Sequence, residues 1–217
     1  MKSNFLEFAL SCFFPHQCPY CRKIIRSGLT ECEECLRNFP KEPKKMMTPV
    51  GILCIAPFAY EAAVRNSIID FKFHGSSFNA RSYAKAICQV TEHESIIDKF
   101  DLITFVPLSK IRKNERGFNQ SALVAEYVGE QLGKPVKPLL EKIRQNKNQH
   151  DLSFSERVQN VKGIYKPVNK DLIRDKDILL IDDIVTTGNT LAECCKVLKE
   201  SGAGNIICIT IAVAGAV

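Results

Sequence analysis

An α/β fold, with a mostly parallel sheet flanked by helices and a small cysteine-bearing module ahead of it, is what the sequence predicts, on three observations. Apolar runs of strand length alternate with segments of helical period. Those runs, DILLI at 177–181 and NIICITIAV at 205–213 among them, are continuous rather than alternating, as in strands buried on both faces of a parallel sheet. Two CxxC pairs, CPYC at 18–21 and CEEC at 32–35, stand close together ahead of the first such run.

The chain begins MKSNFLEFALSCFFP, which superficially has the look of a signal peptide. One basic residue and the interruption by Glu7 do not fit that class. Phe5, Ala9, Cys12 and Phe13 recur instead at helical spacing, which predicts a short helix packed on the body and a cytoplasmic protein. The longest uncharged apolar run, IICITIAVAGAV, has twelve residues. Spanning a bilayer takes about 20, so it reads as a buried strand and no transmembrane segment is expected.

The two CxxC pairs present Cys18, Cys21, Cys32 and Cys35, with Ser27-Gly28 as the turn between them. Four thiolates at this spacing suit one tetrahedral Zn²⁺, with iron as the alternative ion and a pair of disulfides disfavoured in a reducing cytosol. Four cysteines close such a site without His16, so the ion would be structural. Cys12, Cys54, Cys88, Cys194, Cys195 and Cys208 sit in apolar runs and read as reduced core residues. The polar stretch KEPKKMMTP, 41–49, marks the boundary, giving a module over 1–45 and a main domain over 46–217.

In the main domain GILCIAPFAY reads as a strand and AAVRNSIIDFKF as a helix with Val64, Ile68 and Phe71 on one face. A second helix follows across RSYAKAICQV, then the strand DLITFVPL and the helix SALVAEYVGEQLG, ending at Gly133. The stretch from 137 to 160 is basic and polar, and the helix LAECCKVLKESG separates the last two strands. The formal net charge is +6, and residues 110–166 alone hold 12 Lys or Arg against 6 Asp or Glu. That concentration fits a polyanionic partner, a phosphorylated small molecule or nucleic acid, or else a solvated basic face.

ILLIDDIVTTGNTL, 178–191, carries the chemistry. Thr186, Thr187 and Gly188 fall between strand and helix, where open N–H groups and the helix dipole hold phosphate. Asp182 and Asp183 would repel that phosphate, but a ribose resolves the conflict, because its hydroxyls donate to carboxylates while its 5′-phosphate reaches the loop. Thr190 and Glu193 also read as a capping box. No G-x-x-x-x-G-K-[ST] occurs, which excludes a Walker-type site.

The apolar run, DD and TTGNT resemble the phosphoribosyl diphosphate (PRPP) loop of type I phosphoribosyltransferases. RGFNQ at 116–120, followed by Arg144, Gln149, Leu152, Arg157 and Asn160 in the order R-x₄-Q-x₂-L-x₄-R-x₂-N, resembles the ComF family of competence proteins. That family also carries an N-terminal CxxC…CxxC zinc element. The resemblance runs from about Cys18 to Val213 and implies a type I phosphoribosyltransferase-like fold.

For the site it implies that Asp182 and Asp183 are the catalytic pair on the ribose hydroxyls. Thr186, Thr187, Gly188, Asn189 and Thr190 would hold the 5′-phosphate, with Arg116, Arg144 and Arg157 as further ligand contacts. The segment Arg144–Asn160, with Lys147, would form a hood. The diphosphate loop would fall in FVPLSKIRKNERG, with Lys110, Arg112 and Arg116 as contacts, although Phe105 and Ser109 stand there in place of proline and histidine.

The function implied is that of a competence protein in DNA uptake. It would bind PRPP or a related ribose 5-phosphate with Mg²⁺, hold a structural Zn²⁺, and have single-stranded DNA and other uptake machinery as partners. An active phosphoribosyltransferase of nucleotide salvage or modification is one alternative. A single-stranded DNA-binding module with a remnant PRPP site is another, and stacking of bases would then draw on Phe13, Phe14, Tyr20, Phe39, Phe118 or Phe154.

Overall fold

The computed structural model describes residues 16–73, 76–144 and 162–215. The predicted N-terminal helix, Arg157 and nearly all of the predicted hood, with Lys147, Gln149, Leu152 and Asn160, lie outside them.

One six-stranded sheet organises the chain. Its strands are β1 (Lys44–Met47), β2 (Leu53–Ala56), β3 (Phe58–Ala59), β4 (Leu102–Phe105), β7 (Ile178–Val185) and β8 (Ile206–Val213). The order is β1-β2-β8-β7-β4, with β3 also beside β8. Only the β1–β2 pair is antiparallel; β2, β3 and β7 pair with β8, and β4 with β7, in parallel. The register sets Ile178 between Leu102 and Ile206, so β4, β7 and β8 start level, and β7 and β8 end together at Val185 and Val213, beyond the end of β4 at Phe105. A separate antiparallel hairpin joins β5 (Leu140–Lys142) and β6 (Tyr165–Pro167).

Ile178, Leu179, Leu180 and Ile181 are all fully buried, which is why their run is continuous rather than alternating. Leu179 and Ile181 point to one face, packing with Ile68, Phe71, Tyr83, Ile87, Val124 and Val128. Those side chains come from α2 (Ala62–Phe73), α3 (Asn79–His93) and α5 (Gln120–Leu132). Ile178 and Leu180 point to the other face, against Leu191, Cys194, Cys195 and Leu198 of α6 (Asn189–Glu200) and Leu140 and Tyr165 of the hairpin. Gly133 ends α5 in the left-handed region, donating to the Gly129 carbonyl, as its sequence position predicts.

An edge strand and a hairpin escape the sequence reading. The polar stretch 41–49, read as a connection, contains β1, an edge strand whose alternate residues are exposed. The basic region contains the β5–β6 hairpin, whose strands are three residues long and too short to show a period.

The module over residues 16–40 has two turns and the short helix α1 (Glu33–Arg37). It packs on the α3 face through buried Tyr20, whose ring meets Phe39 at 4.7 Å and Phe58 at 5.7 Å. Tyr20 Oη lies 3.0 Å from Ser82 Oγ, which donates to Glu31 Oε2 at 2.9 Å, while Lys85 Nζ reaches Glu31 Oε1 at 2.5 Å. Glu31 is 3% exposed, so this network seals a buried carboxylate rather than decorating a surface.

Candidate ligand site and four-cysteine cluster

The thiols of Cys18, Cys21, Cys32 and Cys35 lie within 4.8 Å of one another. Tetrahedral thiolate ligation at about 2.3 Å sets sulfur atoms about 3.8 Å apart, so the cluster fits one ion with little adjustment. Backbone N–H groups of Cys32 and Cys35 donate to Cys18 Sγ and Cys32 Sγ, each at 3.5 Å, an arrangement that stabilises thiolates. Arg22 turns the chain out of CPYC at φ 60, with its N–H on the Cys18 carbonyl, and Gly28 makes the predicted turn between the pairs at φ 90. His16 takes no part and rests against the Phe78 ring. Cys54, Cys88, Cys194, Cys195 and Cys208 are free and buried, and Cys12 lies outside the described residues.

At the carboxyl edge of the sheet β7 passes through Thr186, Thr187 and Gly188 into α6. Gly188 caps the helix at φ 74 with no side-chain hydrogen bond, leaving the first-turn N–H groups open. A Cβ on Gly188 would stand 3.1 Å from Pro49 Cδ and 3.3 Å from Thr48 Cα, so backbone from the β1–β2 turn closes this loop from behind. Asn189 is buried, and its Nδ2 has no partner among the described residues. Thr187 and Thr190 are half-buried and Thr186 exposed. The predicted capping box does not form. The helix starts one residue before Thr190, and Glu193 accepts instead from the Gly163 N–H at 2.6 Å.

Asp182 and Asp183 stand just before the loop. Asp182 Oδ1 accepts from Ser121 Oγ at 3.0 Å and from the Asp183 N–H at 2.9 Å. Burial first, and then the adjacent Asp183 charge, pushes the Asp182 carboxyl up to about 7. Asp183 Oδ2 pairs with Lys72 Nζ of α2 at 2.8 Å.

These groups border a cavity of about 680 Å³. Its walls carry Asp182 to Leu191 on one side and Lys72, Phe73, Arg112, Arg116, Lys142 and Tyr165 around the rest. Arg112 and Arg116 belong to α4 (Lys110–Arg116), so the predicted diphosphate loop is extended only over 106–109 before it becomes helix, capped by Ser109. Lys110 is exposed and outside the cavity wall. Arg116 lies over the Phe73 ring at 5.0 Å and donates to Gln120 Oε1 at 3.0 Å; burial lowers its proton affinity.

The RGFNQ stretch is thereby explained as a brace. Asn119 caps α5 and donates to the Val106 carbonyl at 3.1 Å, Gln120 holds Arg116, and the following Ser121 holds Asp182. Arg144 is exposed, donates to the Gly163 carbonyl at 3.2 Å, and is not part of the cavity wall.

Sequence reading missed Lys72, Ser121, Lys142 and Tyr165. Lys142 is half-buried beside the Tyr165 ring at 5.6 Å, and burial together with Arg112 lowers its ammonium to about 8. Of these four, Ser121, Lys142 and Tyr165 fall within residues 110–166, the region singled out by charge, and only Lys142 is itself one of its charged residues. The aromatic candidates for base stacking are core residues where described: Tyr20 and Phe39 pack on Phe58, and Phe118 packs on Phe71 at 5.5 Å. Phe13, Phe14 and Phe154 lie outside the described residues.

Residues 98–216 match the phosphoribosyl transferase domain model, more than half of the chain, and the parallel sheet with its β7–α6 crossover has that architecture. Adenine phosphoribosyltransferase, a solved structure, is 15% identical with a TM-score of 0.40, over 79% of this chain and 84% of that one. Competence protein ComFC of Streptococcus pneumoniae is 31% identical over 191 residues, 87% of this chain and 77% of that protein. Competence protein F of Haemophilus influenzae is 26% identical over 203 residues, 89% and 82% of the two chains. The chain belongs to the ComF family of competence proteins, and its main domain is a phosphoribosyl transferase domain. Among the described residues no helix is long and apolar enough to cross a membrane.

Proposed function

We propose that the cavity binds PRPP or a related ribose 5-phosphate, that the four cysteines hold a structural Zn²⁺, and that the chain serves DNA uptake through this ligand-binding domain. The observation that carries the reading is the join of two opposite chemistries in nine residues. A helix N-terminus with no side-chain cap, together with the unpartnered Asn189 amide, accepts an anion, and Asp182 and Asp183 beside it accept hydroxyl donors. A sugar phosphate carries both groups in one molecule.

Asp182 retains Oδ2 and Asp183 retains Oδ1 for the ribose hydroxyls, since the other oxygens are already taken by Ser121, the Asp183 N–H and Lys72. Arg112, Arg116 and Lys142 supply the positive charge that a diphosphate requires. Mg²⁺ would arrive with that diphosphate, held by ligand oxygens and water. Displacement of diphosphate from the ribose C1 needs charge neutralisation and positioning, not a protein nucleophile, and these residues supply both. The part in DNA uptake comes from the competence relatives.

Calorimetric titration of the zinc-loaded protein with PRPP and Mg²⁺ tests the reading. The expected result is one saturable site, weakened at least about tenfold, or 1.4 kcal/mol, in Asp182→Asn. Heat no larger than dilution from the folded protein would refute it. Diphosphate release with a panel of nucleobases and amines then separates a transferase from a binding protein. A salt-sensitive affinity for single-stranded DNA without PRPP binding would favour the nucleic-acid alternative.

A further inference from the structure

We infer that Lys72 is a built-in cation of the ribose-phosphate site, occupying beside Asp183 the place that a divalent ion would otherwise take, so that the sugar-phosphate half of the ligand binds without metal. The inference rests on the ribose-phosphate reading and deepens it. Two adjacent carboxylates at the end of a strand are by themselves a plausible seat for Mg²⁺, and the details of the pair decide whether they are one here.

Lys72 Nζ contacts Asp183 Oδ2 at 2.8 Å, and the two side chains are 17% and 15% exposed. A pair so shielded is screened little by salt. Lys72 occupies the next-to-last position of α2, whose Ile68 and Phe71 are fully buried, so the helix delivers the ammonium from a fixed base. Arg116 also faces Asp183 with its charge, and Lys72 faces Asp182.

The remaining donors do not suit a dication. Asp182 Oδ1 already accepts two hydrogen bonds, and Mg²⁺ requires near-octahedral oxygen ligation at about 2.0–2.1 Å, which the Lys72 ammonium on the neighbouring Asp183 carboxylate obstructs. The four cysteines are the one group of three or more metal-ligating side chains among the described residues. The cavity wall carries four cations, Lys72, Arg112, Arg116 and Lys142, against the three carboxylates of Glu115, Asp182 and Asp183. Its net charge attracts a polyanion and opposes a free divalent ion. Mg²⁺ is then brought in by the diphosphate and is not needed to hold the sugar phosphate.

The test uses zinc-loaded full chain in buffer freed of other divalent ions over a chelating resin, because a soluble chelator would attack the cysteine cluster. Ribose 5-phosphate, which lacks the diphosphate, is titrated calorimetrically with and without Mg²⁺, and Mn²⁺ uptake by the ligand-free protein is followed by electron paramagnetic resonance. Wild type is expected to bind ribose 5-phosphate with Kd values within about twofold in the two buffers and to take up no Mn²⁺. Lys72→Met should weaken metal-free binding at least about tenfold, and Mg²⁺ should recover most of it, while Lys72→Arg stays within about fivefold of wild type. Wild-type binding that needs Mg²⁺, or one equivalent of Mn²⁺ on the ligand-free protein, overturns the role of Lys72 and leaves the ribose-phosphate reading standing. Absence of ribose 5-phosphate binding in both buffers overturns both. The wild-type arms decide the matter even if Lys72→Met fails to fold.

Discussion

The cysteine module and the β7–α6 crossover both hold polar groups at fixed positions, by opposite means. Over residues 16–40 the buried apolar residues are Cys18, Pro19, Tyr20 and Ile25, too few to order 25 residues against their conformational entropy. The crossover, by contrast, stands on Ile178, Leu179, Leu180, Ile181, Leu191 and Leu198, each essentially sealed from water, at about 1.5–3 kcal/mol per side chain. On the reading proposed above the module depends on an ion, whereas the crossover holds Asp182, Asp183 and the Gly188 turn by burial of its apolar neighbours.

Removing the ion should produce the largest effect. Structural zinc in such sites is worth roughly 10–16 kcal/mol of apparent binding energy. Cys35→Ser, or exhaustive chelation, is expected to abolish the one bound zinc per chain and open residues 16–40 to protease, with strand content from the sheet retained. Simultaneous loss of sheet and module would break the comparison, showing that the Tyr20–Ser82–Glu31 network makes one cooperative unit of them.

Next in size is Gly188→Ala. The added Cβ meets Thr48 backbone in a left-handed conformation, costing about 2 kcal/mol, read as a fall in melting temperature of several degrees. Ribose 5-phosphate affinity should fall with it, while zinc content should not change.

Asp182 gives a smaller and pH-dependent effect. Its folded-state pKa near 7 lies above the unfolded value, so the folded chain binds a proton more tightly. The sign follows: Asp182 is neutral in its effect below the unfolded carboxylate range, and stability falls as pH rises through that range to about 7. Asp182→Asn should flatten this slope and raise the melting temperature by a few degrees at pH 8, even though it weakens ligand binding. An Asp182→Asn protein less stable than wild type at pH 8 would show that the Ser121 hydrogen bond outweighs the burial of charge.

The smallest change expected is Glu141→Ala, which removes a half-exposed pair with Lys166 at 3.1 Å and should stay within about 0.5 kcal/mol of wild type by thermal unfolding.

The contrast also explains what the sequence made legible. Cys18, Cys21, Cys32 and Cys35 are close because tight turns join them, and Asp182 to Thr190 share one short crossover, so local spacing revealed both groups. Lys72 and Lys142 reach the same cavity, and Ser121 reaches Asp182 on its wall, from three elements far apart in the chain, and only tertiary packing brings them there. Glu193 was misread for the same reason: its partner is Gly163 on the hairpin, not its own helix. The edge strand β1 escaped because pairing on one side leaves alternate lysines and methionines exposed, a pattern that reads as polar connection.

Amide resonances of isotopically labelled protein, followed by NMR during titration with ribose 5-phosphate and separately with ribose, test most directly whether anion and sugar divide between loop and carboxylates. The phosphorylated sugar is expected to shift Thr187, Gly188 and Asn189 together with Asp182 and Asp183, with ribose alone giving far weaker and non-saturating changes. Saturable shifts confined to other surfaces, with the 182–190 amides unmoved, would contradict the assignment of the site.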